Sequence, residues 1–125
     1  MKVIVSDPVS DDGLNILKEN NIDIINAVGD EIDKNSDYLK IAQGWIIRSG
    51  TTIDSELIEK ASNLSVIGRA GVGVDNIDIA AATRRGIVVL NTPDANTISA
   101  AEHTMALILA LSRNVSFGHY GLLKG

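Results

Sequence analysis

Short apolar, β-branched runs recur along the chain about every twenty residues, the length of a strand plus a crossover helix. They are Val3–Val5, Ile22–Ile25, Trp45–Ile47, Leu64–Ile67 and Ile87–Leu90. Most lack polar alternation, which suits strands covered on both faces and therefore a parallel sheet. A stretch with helical spacing follows each run. Ser10 is placed to cap the first helix, with Leu14 and Leu17 facing inward. The second, near residues 31–41, is the weakest pattern, with only Ile32, Tyr38, Leu39 and Ile41 able to bury anything. The third runs from about Asp54 to Ala61, with Leu57 and Ile58 inward.

The fourth helix is expected from about Ile77 to Arg85, capped by Asp75 or Asn76 and stopped by Gly86. The fifth, over residues 99–113, reads most clearly. Ser99-Ala100-Ala101-Glu102 has the form of a capping box leading into Met105–Leu111. Strand–helix alternation with right-handed crossovers predicts an α/β fold, a doubly wound five-stranded parallel sheet of flavodoxin-like topology with a long C-terminal helix. That last helix is apolar nearly all round, whereas a helix at the edge of a small domain carries one apolar stripe. Either it packs deep in the core, or it is buried against a second copy or another domain.

Composition narrows the function. The chain has 125 residues, a formal net charge of -5 and no cysteine. One domain is expected, without disulfides, thiolate metal sites or cysteine nucleophiles. No run of eighteen apolar residues is present, so no membrane helix is expected. The N-terminus reaches Asp7 too early for a signal peptide, and the acidic balance argues against a nucleic-acid partner. A soluble, cytoplasmic protein is the expectation.

In a doubly wound sheet, ligands bind beyond the carboxyl ends of the strands. Two arginines, Arg48 and Arg69, fall at neighbouring ends, beside the glycines of Gly71-Val72-Gly73. Arg48 can offer a guanidinium fork to a carboxylate or phosphate, and the glycines let backbone approach an anion closely. A site for a small anionic molecule follows. The alternative is that both arginines pair with Asp7, Asp75 or Asp94 and merely hold the rim together. The run Gly71–Asn76 is not a dinucleotide fingerprint: Asn76 occupies the third glycine position, and the run follows the fourth strand rather than the first. His103, beside Glu102 on a helix, reads as packed or surface-exposed, and His119 as part of a disordered or solvated tail. No metal site is expected from two histidines so far apart.

Three runs carry a resemblance: Gly68-Arg69-Ala70-Gly71-Val72-Gly73-Val74-Asp75-Asn76-Ile77-Asp78, then Ala81–Ile87, then Asn91–Thr104, with Arg48-Ser49-Gly50-Thr51 added. Together they resemble the D-isomer-specific 2-hydroxyacid dehydrogenases. The resemblance implies an NAD-dependent oxidoreductase of two α/β lobes, of which this chain matches only the N-terminal, substrate-binding lobe and the crossing helix after it. The nucleotide-binding lobe, the catalytic residues and a C-terminal return segment would lie further along. The expectation is therefore a truncated form or natural fragment, with no catalytic residue, no NAD bound to it and no activity of its own. By position, the resemblance makes Arg48 and Ser49 substrate-anion contacts. Arg69, Ala70, Gly71, Val72 and Gly73 become the loop lining the substrate carboxylate, with Val72 also touching the nicotinamide end of the cofactor. Asn96 becomes a residue positioning substrate near the lobe boundary. The fifth helix resembles one buried between lobes and subunits, hence a homodimer through residues 99–113. The alternative is a stand-alone flavodoxin-like module that binds a small anion or serves structurally.

Overall fold

The computed structural model describes residues 1–30, 32 and 36–124. Five strands, β1 (Lys2–Val5), β2 (Asp23–Asn26), β3 (Gly44–Ile47), β4 (Val66–Arg69) and β5 (Val88–Asn91), form one sheet. Their order is β2-β1-β3-β4-β5, and every pairing is parallel. This is the flavodoxin-like order, with the sequence reversing direction beside β1.

Between the strands lie α1 (Asp11–Glu19), α2 (Asp37–Ile41), α3 (Ser55–Lys60) and α4 (Ile79–Arg84). Ser10 caps α1, its side chain accepting the Gly13 N–H at 3.3 Å. Of the expected second helix, Asp37–Ile41 forms, and positions 31 and 33–35 lie outside the described residues. The α4 cap differs from expectation. It is Asp78, whose carboxylate accepts the Ala81 N–H at 2.8 Å, and not Asp75 or Asn76. Asn76 is unavailable because its side chain bonds elsewhere. Gly86, at φ +67°, ends the segment after α4 in the left-handed region that a side chain disfavours.

The two faces of the sheet are unequal. Ile4, Trp45 and Ile67 lie side by side in register and point to one face, where Leu39 of α2, Leu57 and Ile58 of α3, and Ala81 and Ala82 of α4 close over them. Trp45, Ile4, Ile58 and Ile67 are almost wholly removed from water, each contributing on the order of 2 kcal/mol by burial. On the other face, Leu14 and Leu17 of α1 are half-buried near Val5 and Ile46. Coverage there is incomplete: Val88 and Leu90 of β5 are exposed. The expectation of strands covered on both faces therefore fails at β5.

Arg85 ties α4 to α3. Its Nη1 donates to Ile58 O at 2.9 Å and Glu59 O at 3.2 Å, and its Nη2 to Ser62 O at 3.2 Å. A cation thus closes the carbonyl end of α3, where the helix dipole is negative.

The chain divides into two compact units, the first Met1–Pro93 and the second beginning at Asp94. The second holds α5 (Thr97–Ser112) and α6 (Val115–Lys124). The capping box does not form. Asn96 is the N-cap, Ala100 N–H bonds Asn96 O at 2.8 Å, and Ser99 lies inside the first turn. His119, expected to be disordered or solvated, is exposed, and it sits on a further helix from Val115 that follows the long helix α5. Asn114, at φ +51°, makes the break between them. No apolar residue of α5 or α6 is buried, and Leu111 is 81% exposed.

Replacing Arg85 with Met keeps the stem and removes all three carbonyl bonds. Urea unfolding is expected to show a loss of about 1 kcal/mol with an unchanged slope.

Candidate functional site: an anion cradle at the sheet rim

Parallel strands end together, so the carboxyl ends of β1, β3, β4 and β5 form one rim. Two of the hollows there reach the arginines. The larger, about 590 Å³, is lined by Pro8, Val9, Ser10, Gly13, Leu17, Ile46, Arg48 and Ala70. The smaller, about 220 Å³, shares Ile46 and Ala70 and extends to Arg69, Leu90, Asn91 and Thr92.

Arg48 stands on the exposed loop after β3, with Ser49 exposed beside it. Among the described residues its guanidinium has one hydrogen bond, from Nη1 to Pro8 O at 3.4 Å. Asp7, 7% exposed, serves this loop through the loop's backbone and not through the alternative ion pair: its Oδ2 accepts the backbone N–H of Arg48 at 2.6 Å and of Thr51 at 3.0 Å. Next to it Ser6 Oγ accepts from Trp45 Nε1 and from Thr51 Oγ1, both at 2.9 Å. The loop is thereby fastened to the end of β1 by side chains.

Arg69, the last residue of β4, lies across Gly71, where a Cβ would run into the guanidinium. Its Nε is buried without a hydrogen-bond partner. Among the described residues no carboxylate pairs with Arg48 or Arg69. The reading in which Asp7, Asp75 or Asp94 neutralises them is thus not what the structure shows.

The segment after Arg69 turns tightly. Ala70 N–H bonds Ile47 O at 2.8 Å, and Gly71 N–H bonds Arg69 O at 2.9 Å. The end of β5 holds its carbonyls: Thr92 N–H bonds Gly71 O at 3.0 Å and Asn91 Nδ2 bonds Val72 O at 2.7 Å. Among the described residues the N–H groups of Val72 and Gly73 have no acceptor. The N–H groups of Val72 and Gly73 are thus open donors on the same rim as two guanidinium groups without a carboxylate partner, an arrangement chemically suited to an anion.

The structure thus brings Arg48, Ser49, Arg69, Ala70, Gly71, Val72 and Gly73 to one rim. Asn96 belongs to the second unit as the cap of α5. The roles of Ser6, Asp7, Thr51 and Asn76 in fastening the rim were not evident from sequence. The signal available was polar residues at strand ends within otherwise apolar units.

The rim does not fit a dinucleotide. The position that a third glycine would hold is Asn76, whose amide is committed to backbone carbonyls.

The family model for D-isomer specific 2-hydroxyacid dehydrogenase, catalytic domain, matches residues 3–117. The chain belongs to that family. A D-3-phosphoglycerate dehydrogenase of Methanocaldococcus jannaschii is 46% identical over 126 residues, covering 100% of this chain and 24% of the relative. That of Archaeoglobus fulgidus is 45% identical over 115 residues, covering 92% and 22%. The human enzyme of the same name is 39% identical, covering 91% and 21%. The chain spans less than a quarter of the length of these curated relatives. Among solved structures, a Thermus thermophilus protein superposes with a TM-score of 0.84 at 34% identity, over 100% of this chain and 41% of that one. An NAD+-bound 3-phosphoglycerate dehydrogenase of Entamoeba histolytica gives 0.70 at 31% identity, over 88% and 38%.

Asp7→Ala removes the acceptor for two backbone donors that water reaches poorly. The expected cost is about 3 kcal/mol of unfolding free energy, measured by urea titration.

Proposed function

We propose that this chain is the substrate-binding lobe of an NAD-dependent D-3-phosphoglycerate dehydrogenase, a cytoplasmic enzyme of serine biosynthesis. The parent reaction oxidises 3-phosphoglycerate at its 2-hydroxyl to 3-phosphohydroxypyruvate. One observation supports this most: Arg48 and Arg69, free of carboxylate partners, flank the free N–H groups of Val72 and Gly73. The substrate carries a carboxylate and a phosphate, and the rim offers a separate partner to each. The Val72 and Gly73 N–H groups and Arg69 take the carboxylate, and Arg48, with Ser49, takes the phosphate. Ala70 and Gly71 keep the backbone close enough for both.

This chain's share of the reaction is binding and orientation. Cofactor binding and proton transfer belong to a nucleotide-binding lobe that follows in the parent. Val72, 42% exposed on the rim, is the residue here that would meet the nicotinamide end, and Asn96 would face the substrate at the boundary between lobes. The chain by itself is inactive, and its affinity is weak without a closing lobe to exclude water.

The apolar surface of α5 indicates a homodimer through residues 99–113. Met105, Leu107, Ile108, Leu109 and Leu111 are each more than half exposed, an apolar surface of the kind that marks an interaction site.

Titration with 3-phosphoglycerate is expected to move the amide NMR signals of Arg48, Arg69, Val72 and Gly73. Addition of NAD should produce no NADH absorbance. Arg48→Met is expected to weaken binding about tenfold or more. An unmoved spectrum in the unmodified chain would overturn the substrate assignment. Light scattering is expected to find twice the chain mass of 13.3 kDa. Leu107→Asp should return the protein to a monomer.

A further inference from the structure

The loop that carries Arg48 has both kinds of backbone group held by side chains from elsewhere in the sequence. Asp7 takes the N–H groups of Arg48 and Thr51. Asn76 takes the carbonyls of the same two residues: its Nδ2 donates to Arg48 O at 2.6 Å and to Thr51 O at 2.5 Å. The Asn76 backbone adds a third tie, its carbonyl accepting the Ile53 N–H at 2.8 Å, next to the parallel bridge of Ile53 with Ile77.

Asn76 is only a few residues beyond Val72 and Gly73 and belongs to the same loop. That loop is fixed on its other side by Asn91 and Thr92. One amide therefore joins the two halves of the cradle, the arginine half and the backbone N–H half. Its Oδ1 is buried with no partner. An unsatisfied buried acceptor costs stability, and the two hydrogen bonds from Nδ2 offset that cost. Glycine would supply neither donor. Aspartate would set a carboxylate against two carbonyl oxygens.

We infer that Asn76 is a positioning residue, a latch that sets the spacing between the Arg48 guanidinium and the Val72 and Gly73 N–H groups so that one ligand with two anionic ends meets both. The inference rests on the proposed substrate only for the identity of that ligand. A two-ended ligand depends on spacing, and a misplacement of an ångström at one end forfeits much of its binding. A single-anion ligand uses one half and does not depend on it.

The test compares Asn76→Ser with the unmodified full chain. Amide hydrogen exchange is read at Arg48 and Thr51, with Ile4 and Ile67 as core references. Binding is measured for 3-phosphoglycerate and for inorganic phosphate. The expected result is exchange about tenfold faster at Arg48 and Thr51 alone, an affinity for 3-phosphoglycerate about tenfold lower, and phosphate binding unchanged. Equal weakening of both ligands, or faster exchange throughout the core, would overturn the latch in favour of a purely structural role. Exchange unaltered at Arg48 and Thr51 would also overturn it, while leaving the substrate assignment intact if 3-phosphoglycerate still binds. Conversely, local loosening with no binding of 3-phosphoglycerate by the unmodified chain supports the latch and overturns the substrate assignment. If Asn76→Ser does not fold, the unmodified chain decides. Scalar coupling across the hydrogen bonds from Asn76 Nδ2 to the Arg48 and Thr51 carbonyls supports the latch, and its absence overturns it.

Discussion

A parallel ladder stops at one edge, and the backbone groups beyond it must find partners that the sheet no longer supplies. This constraint governs the rim. Ser6 N–H and Ala70 N–H extend the ladder by one bond each, to Ile46 O and Ile47 O. After that, side chains take over: Asp7 for the donors of the β3 loop, Asn76 for its acceptors, and Asn91 for the carbonyl of Val72. Where the substitution is incomplete, at the N–H groups of Val72 and Gly73, the structure has capacity left for an anion. The proposed site is thus an unsatisfied remainder of a sheet edge.

The arginines fit the same account. A guanidinium costs little to leave at an exposed rim and a great deal to bury unpaired. Arg48 stays exposed. Arg69 lies over Gly71, and its Nε pays for that posture by being left without a partner.

The strands were legible because each is a compact β-branched run, and the observed limits fall within two residues of those read from sequence. The parallel arrangement and its order followed from the regular spacing. Local rules failed where several residues could serve one purpose. Asp75, Asn76 and Asp78 are all capping types, and only the tertiary engagement of Asn76 with residues 48 and 51 shows why Asp78 caps α4. At α5, Asn96 precedes the Ser99–Glu102 pattern and starts the helix first. In α6, Gly118 and Gly121, on either side of His119, both sit within one continuous helix. The rim's arginines and glycines could be placed from sequence, because strand ends were known. Asp7 as an acceptor for backbone could not, since its partners lie about forty residues away, a separation that sequence patterns do not register.

The division of the chain near Pro93 bears on how the protein is made. Every strand pairing lies within the first unit, and each of the first four strands is followed by a helix of that unit. The sheet can therefore close while later residues are still inside the ribosome, from the N-terminal end onward. The apolar helices emerge only after the sheet has closed, which shortens the time during which nascent sticky surfaces of both kinds are open together.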